Sequence, residues 1–161
     1  MKKKIKKVLI TGSEGFIGSH VVELFLKKGF EVNAFILYNF SSNRGFLENL
    51  SIKKKSKINY FFGDICDVST IKPAMRNCDA VLNLAALIGI PYSYNAPSSY
   101  INVNIKGTLN LLNCALENKI KKFIHTSTSE VYGSAQFVPI TEKHPLEAQS
   151  PYAATKIGAD H

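Results

Sequence analysis

Tyr152 and Lys156 stand four residues apart, just after Ser150-Pro151, a cap and first-turn proline that open helices. On a helix the two side chains share a face. An ammonium beside a phenol favours the phenolate, so the pair can take a proton from a hydroxyl group. Thr128 follows the apolar run 122–127, where its own hydroxyl can bond the same oxygen. Ser129 and Glu130 come next: a hydroxyl too weakly acidic to act alone, and a carboxylate that can remove or return a proton. A second stretch, Thr11-Gly12-Ser13-Glu14-Gly15-Phe16-Ile17-Gly18, joins an apolar run to an amphipathic one. Gly12 permits a tight turn, Gly15 lets backbone approach a pyrophosphate, and Gly18 lets a helix pack closely on a sheet. The helix N-terminus, with Phe16 and Ile17 in its first turn, offers N–H groups and partial positive charge to phosphate. Read singly, each stretch has a plainer meaning: a turn needing glycines, a surface tyrosine, a solvated carboxylate. In this order, at one domain's separation, they specify proton and hydride transfer beside a dinucleotide.

The elements that must position these residues alternate. Apolar strands are expected at 5–10, 31–38, 59–65, 80–84 and 122–127. Helical patterns fall at 15–28, with Ile17, Val21 and Leu24 on one stripe, and at 69–76. A longer one, 100–118, would turn Ile105, Leu109, Leu112 and Leu116 inward. Residues 39–44 read as a polar loop. Strands alternating with helices imply parallel pairing, hence an α/β, Rossmann-like doubly wound parallel sheet.

A chain of 161 residues can build one domain with a real core, and 45% hydrophobic against 20% charged residues places it with globular proteins rather than disordered ones. No apolar run reaches the ~18 residues of a membrane span. The basic start, Met1 to Lys7, resembles a signal n-region, but the following apolar stretch stops at Ile10, so a cytoplasmic protein is expected. The net charge of +8 comes mostly from lysines at the start and at 53–57. No aromatic residues alternate with them and no nucleic-acid motif is present, so solvated surface lysines are expected and nucleic acid is not a partner. Cys66, Cys78 and Cys114 form no CxxC pair and are expected as reduced, buried thiols. His125, His144 and His161 lack partners at metal spacing, so no metal is expected, and His20 is expected in the first helix, partly buried or at the surface. Ile36, Leu37 and Tyr38 stand where an aspartate would bind the adenosine ribose, while Arg44 in the next loop can reach toward a 2′-phosphate. The cofactor is therefore NAD or NADP.

Together these stretches resemble the extended short-chain dehydrogenases/reductases that act on nucleotide sugars, the NAD-dependent epimerase/dehydratase family. The resemblance includes TGSEGFIG, Gly63-Asp64-Ile65, Asn83-Leu84-Ala85-Ala86, Asn104-Ile105-Lys106-Gly107-Thr108 and both active-site stretches. It implies that Asp64 and Ile65 sit near adenine, and that Leu84, Ala85, Ala86 and Asn104 join Gly12, Gly15, Phe16, Ile17, Gly18, Tyr152 and Lys156 around the cofactor. Segments 35–39, 87–94 and 125–142 further resemble the 4,6-dehydratases of bacterial legionaminic acid biosynthesis, which act on an NDP-N-acetylglucosamine. Tyr152 and Thr128 would then serve the sugar 4-hydroxyl. Glu130 would remove the C5 proton and, relayed through Ser129, protonate the departing C6 hydroxyl. Ser129 stands where dehydratases resembling those for dTDP-glucose carry aspartate, as in those resembling the GDP-mannose enzymes. Decarboxylases share Ser-Glu-Val-Tyr-Gly, so the motif excludes typical 4-epimerases better than decarboxylases; a decarboxylase or epimerase of the same family, and an inactive NAD(P)-binding fragment, are the alternatives. The resemblance also implies a homodimer paired through helices of this region, and further strands and a C-terminal substrate region after His161. Residues 1–161 are thus expected to form a Rossmann domain incomplete at its C-terminus, with little turnover alone.

Overall fold

The computed structural model describes residues 5–161; Met1 to Lys4, the first part of the basic start, lie outside the described residues. Five strands, β1 (Lys7–Thr11), β2 (Glu31–Leu37), β3 (Ile58–Gly63), β4 (Ala80–Asn83) and β5 (Lys122–His125), form one sheet. Its order is β3-β2-β1-β4-β5 and every pairing is parallel. That is the doubly wound Rossmann order, in which ligands bind beyond the carboxyl ends of the strands at the switch between β1 and β4. The helices are α1 (Phe16–Lys27), α2 (Ile52–Lys55), α3 (Val68–Met75), α4 (Ile90–Asn95), α5 (Pro97–Tyr100), α6 (Thr108–Glu117) and α7 (Pro151–Asp160).

The two-residue period of the strands divides the core between the two faces of the sheet. Val8, Ile10, Val32, Ala34 and Ile36 pack with Val22 of α1 and Leu47. Leu9, Phe35 and Val81 pack on the other face with Ile71, Ala74 and Met75 of α3 and Leu111, Cys114 and Ala115 of α6. Val8, Leu9 and Ile10 are wholly buried, each contributing about 1.5–3 kcal/mol of burial free energy. Asn33, polar inside β2, is accommodated because its amide donates to the Ala74 carbonyl at 2.7 Å. Asp67 caps α3 by accepting from the Ser69 N–H at 2.9 Å.

The strands begin and end within two residues of expectation, but two helices face differently. The segment expected as one helix over 100–118 winds as α5, then a π-helical stretch Ile101–Gly107, then α6. Wider i→i+5 winding shifts the phase of everything after it. Thr108, Leu111, Cys114 and Ala115 face the sheet, while Leu109 (53%), Leu112 (38%) and Leu116 (77%) are exposed rather than inward. In α1 the inward residues are Gly18, Ser19 and Val22, and Ile17 and Leu24 of the expected stripe are exposed. Contact between Gly18 and the preceding turn sets that face. Of the thiols, Cys78 and Cys114 are buried and Cys66 is half-buried.

Candidate active site

β1 delivers Thr11 and Gly12 to the switch point. Gly12 has φ +63°, and a Cβ there would stand 2.9 Å from the Ala85 nitrogen. A Cβ on Gly18 would lie 2.0 Å from the Gly12 carbonyl oxygen, a collision between backbone atoms that no rotamer relieves. Among the described residues no side chain caps α1, so its first-turn N–H groups remain for a ligand.

The opposite wall is fixed by a buried chain of hydrogen bonds. Thr11 Oγ1 accepts from the N–H groups of Leu84 and Ala85, both at 3.1 Å, and donates to Asn83 Oδ1 at 2.7 Å. Asn83 Nδ2 in turn donates to Thr108 Oγ1 at 3.3 Å and to His125 Nδ1 at 3.1 Å. Thr108 Oγ1 donates to the Asn104 carbonyl at 2.7 Å. Each donor here has one free acceptor, so Nδ1 of neutral His125 accepts and its proton sits on Nε2.

α7 brings in the proton-transfer pair. Ser150 Oγ accepts from the Ala153 N–H at 3.0 Å and Pro151 opens the helix. Tyr152 is 7% exposed and meets Tyr100 edge-on. Lys156, 3% exposed, donates from Nζ to the Thr126 carbonyl at 2.6 Å and lies 3.3 Å from His125 Nε2. Burial pulls Lys156 below the usual lysine range, partly countered by Asp160. Burial first, then Lys156, lowers His125 as well, with Asp160 opposing at 3.6 Å.

These parts line one cavity of about 750 Å³. Gly12, Gly15, Phe16, Ile17 and Gly18 meet Asp64, Ile65, Leu84, Ala85 and Ala86 there, and Thr128, Tyr152 and Lys156 close it. Ser129 and Glu130 are exposed on the 3₁₀ turn Ser129–Tyr132, next to Thr128 but outside the lining. Asn104 is buried behind the wall: its amide bonds the Leu87 carbonyl at 3.0 Å and the Leu87 N–H at 2.9 Å, and reaches Thr155 at 3.0 Å. It holds the wall to α7 rather than facing the cavity. Arg44 does not line the cavity either. The Asn39 side chain folds its loop back, and the guanidinium lies over Tyr60, 4.2 Å from the ring centroid, and 4.0 Å from Glu48. Sequence reasoning missed Glu14, Leu37, Leu87, Ile88, Thr126 and Ser127, which also line the cavity. The signal was available: in a doubly wound sheet, residues just past the ends of strands face the ligand crevice.

The chain's sequence from residue 9 to 161 matches the family described as GDP-mannose 4,6 dehydratase. The chain belongs to that family. A dTDP-glucose 4,6-dehydratase of Actinoplanes is 36% identical over 96% of this chain and 50% of its own length. A UDP-glucose 4-epimerase of Drosophila melanogaster is 34% identical over 92% and 45%. In three dimensions the chain superposes with a TM-score of 0.85 on the dTDP-glucose 4,6-dehydratase of Streptomyces venezuelae, solved with NAD bound. That match, 34% identical, covers 96% of this chain and 49% of the other. The chain thus spans about half the length of the relatives it matches. A dinucleotide fits the residues present: uncapped helix N–H groups, a turn where side chains would collide, and a cavity large enough to hold it. Among the described residues no helix is long and apolar enough to cross a membrane.

Proposed function

We propose that this chain is the cofactor-holding and proton-transferring part of a nucleotide-sugar 4,6-dehydratase working in the cytoplasm. Its substrate in this reading is an NDP-N-acetylglucosamine, as for the enzymes of legionaminic acid biosynthesis. The observation that carries the reading is the meeting of Thr128, Tyr152 and Lys156 with the glycine turn in one cavity, with Ser129-Glu130 following directly. NAD or NADP, when bound, supplies a reversible hydride acceptor. Tyr152 takes the proton of the sugar 4-hydroxyl, which Thr128 orients by a hydrogen bond. Lys156 favours the phenolate, and the Thr126 carbonyl holds its ammonium in place. Oxidation at C4 acidifies C5, Glu130 removes that proton, and the C6 hydroxyl leaves as water with that proton returned through Glu130 and Ser129. The hydride taken from C4 would then return to C6 and a proton to C5, giving the 4-keto-6-deoxy sugar. Gly12, Gly15, Phe16, Ile17, Gly18, Asp64, Ile65, Leu84, Ala85 and Ala86 hold the dinucleotide, and Asn104 acts by positioning Leu87.

A second reading, an epimerase, is supported by the UDP-glucose 4-epimerases among the relatives. Mass spectrometry separates the two. UDP-, GDP- and dTDP-activated sugars are incubated with NAD or NADP and residues 1–161, or a longer natural polypeptide containing them. Loss of one water that disappears in Glu130→Gln supports the dehydratase. An unchanged mass with inverted C4 supports the epimerase, and loss of carbon dioxide from a uronic acid substrate a decarboxylase.

A further inference from the structure

The end of β2 has no acid of its own, yet a carboxylate stands there. Glu14, from the glycine turn, accepts the Leu37 N–H on Oε1 at 2.9 Å. Its Oε2 is the one buried side-chain polar atom without a hydrogen-bond partner among the described residues. Buried acceptors are normally hydrogen-bonded, and a ligand hydroxyl at this oxygen would supply the donor.

The loop after β2 is built around this residue. The Phe46 N–H donates to the Glu14 carbonyl at 2.9 Å. Gly45, at φ +54°, packs so closely that a Cβ would lie 2.4 Å from that oxygen and 3.0 Å from the Glu14 Cβ. Asn43 Oδ1 accepts from the Gly45 N–H at 2.6 Å, and Asn39 bridges Leu37 and Asn43. Arg44, the cation that could have met a 2′-phosphate, is turned onto Tyr60 and Glu48. Among the described residues lining the cavity, Lys156 is the one cation, and it belongs to α7.

We propose that Glu14 takes the part of the missing strand-end acid: its Oε2 accepts the 2′-hydroxyl of the adenosine ribose, making the site selective for NAD over NADP. This rests on the dinucleotide reading of the cavity. A ribose hydroxyl donates to the waiting oxygen. A 2′-phosphate brings its own negative charge to a carboxylate and meets no cation there.

The test is calorimetric titration of residues 1–161 with NAD, NADP and the 2′-deoxyadenosine analogue of NAD, repeated for NAD and NADP with Glu14→Gln and Glu14→Ala, each checked for folding by circular dichroism. Wild type should bind NAD at least tenfold more tightly than NADP, on the order expected for one charge-assisted hydrogen bond. It should bind the deoxy analogue more weakly than NAD by a similar factor. Both variants should bring the NAD-to-NADP ratio to within about threefold of unity. An unchanged ratio in the folded variants overturns the role of Glu14. If the variants do not fold, equal wild-type affinity for NAD and its deoxy analogue does the same. Binding of neither dinucleotide by wild type is a distinct result that removes the cofactor reading itself, and this proposal with it.

Discussion

Lys156 is surrounded by groups that the chain supplies from three directions. The Thr126 carbonyl accepts its hydrogen bond, His125 Nε2 faces it, and Asp160 lies beyond the imidazole. If Tyr152 is the proton acceptor, Tyr152→Phe should lower turnover by at least about 10²-fold while NAD affinity, read by titration, stays within about twofold. His125 carries a second prediction. Burial and Lys156 hold it below the usual histidine range, so the unfolded chain gains a proton near pH 6.5 that the folded chain does not. Stability should therefore fall as pH drops below about 6.5, by up to about 1.4 kcal/mol per pH unit, until the folded imidazole also protonates. Urea melts of wild type and His125→Gln across pH 5 to 7.5 check this: the variant should have the flatter profile.

At the scale of elements, the glycine turn and α1 act as one unit. In Gly18→Ala the methyl meets backbone of Gly12 and Ser13, so α1 must move off the sheet. Overpacking of this kind costs about 1–3 kcal/mol, and the shift should also weaken dinucleotide binding, so both the urea midpoint and NAD affinity should fall. The strands, the glycine turn and the Tyr152–Lys156 pair were legible in the sequence because each depends on short-range spacing. The facing of α6 was not: the π-helical winding of Ile101–Gly107 arises from packing against α7, where Asn104 bonds Thr155 and Ile105 abuts Gly158. Asn104, which the resemblance places at the cofactor, lies buried behind the cavity wall, where its amide bonds Leu87 and Thr155. The chain from Thr11 through Asn83 to His125 joins residues far apart along the sequence, which no local pattern announces.

For the whole molecule, two surfaces await partners in this reading. One is the cavity, where Thr128 and Tyr152 would meet the sugar, and the other is on α6, where Leu109, Leu112 and Leu116 form an exposed apolar strip. The expected homodimer would cover that strip. Leu112→Glu with Leu116→Glu should give a smaller sedimentation coefficient with the fold retained by circular dichroism, whereas an unchanged coefficient would remove the strip from the dimer contact. The central claim concerns chemistry, and an isotope tests it most directly. A nucleotide-sugar substrate deuterated at C4 is converted in the presence of NAD or NADP, and the product is analysed by mass spectrometry and NMR. The 4,6-dehydratase account predicts loss of one water, a 4-keto group, and the deuterium retained at C6. Deuterium still at C4 in a product of unchanged mass would contradict it and identify an epimerase instead.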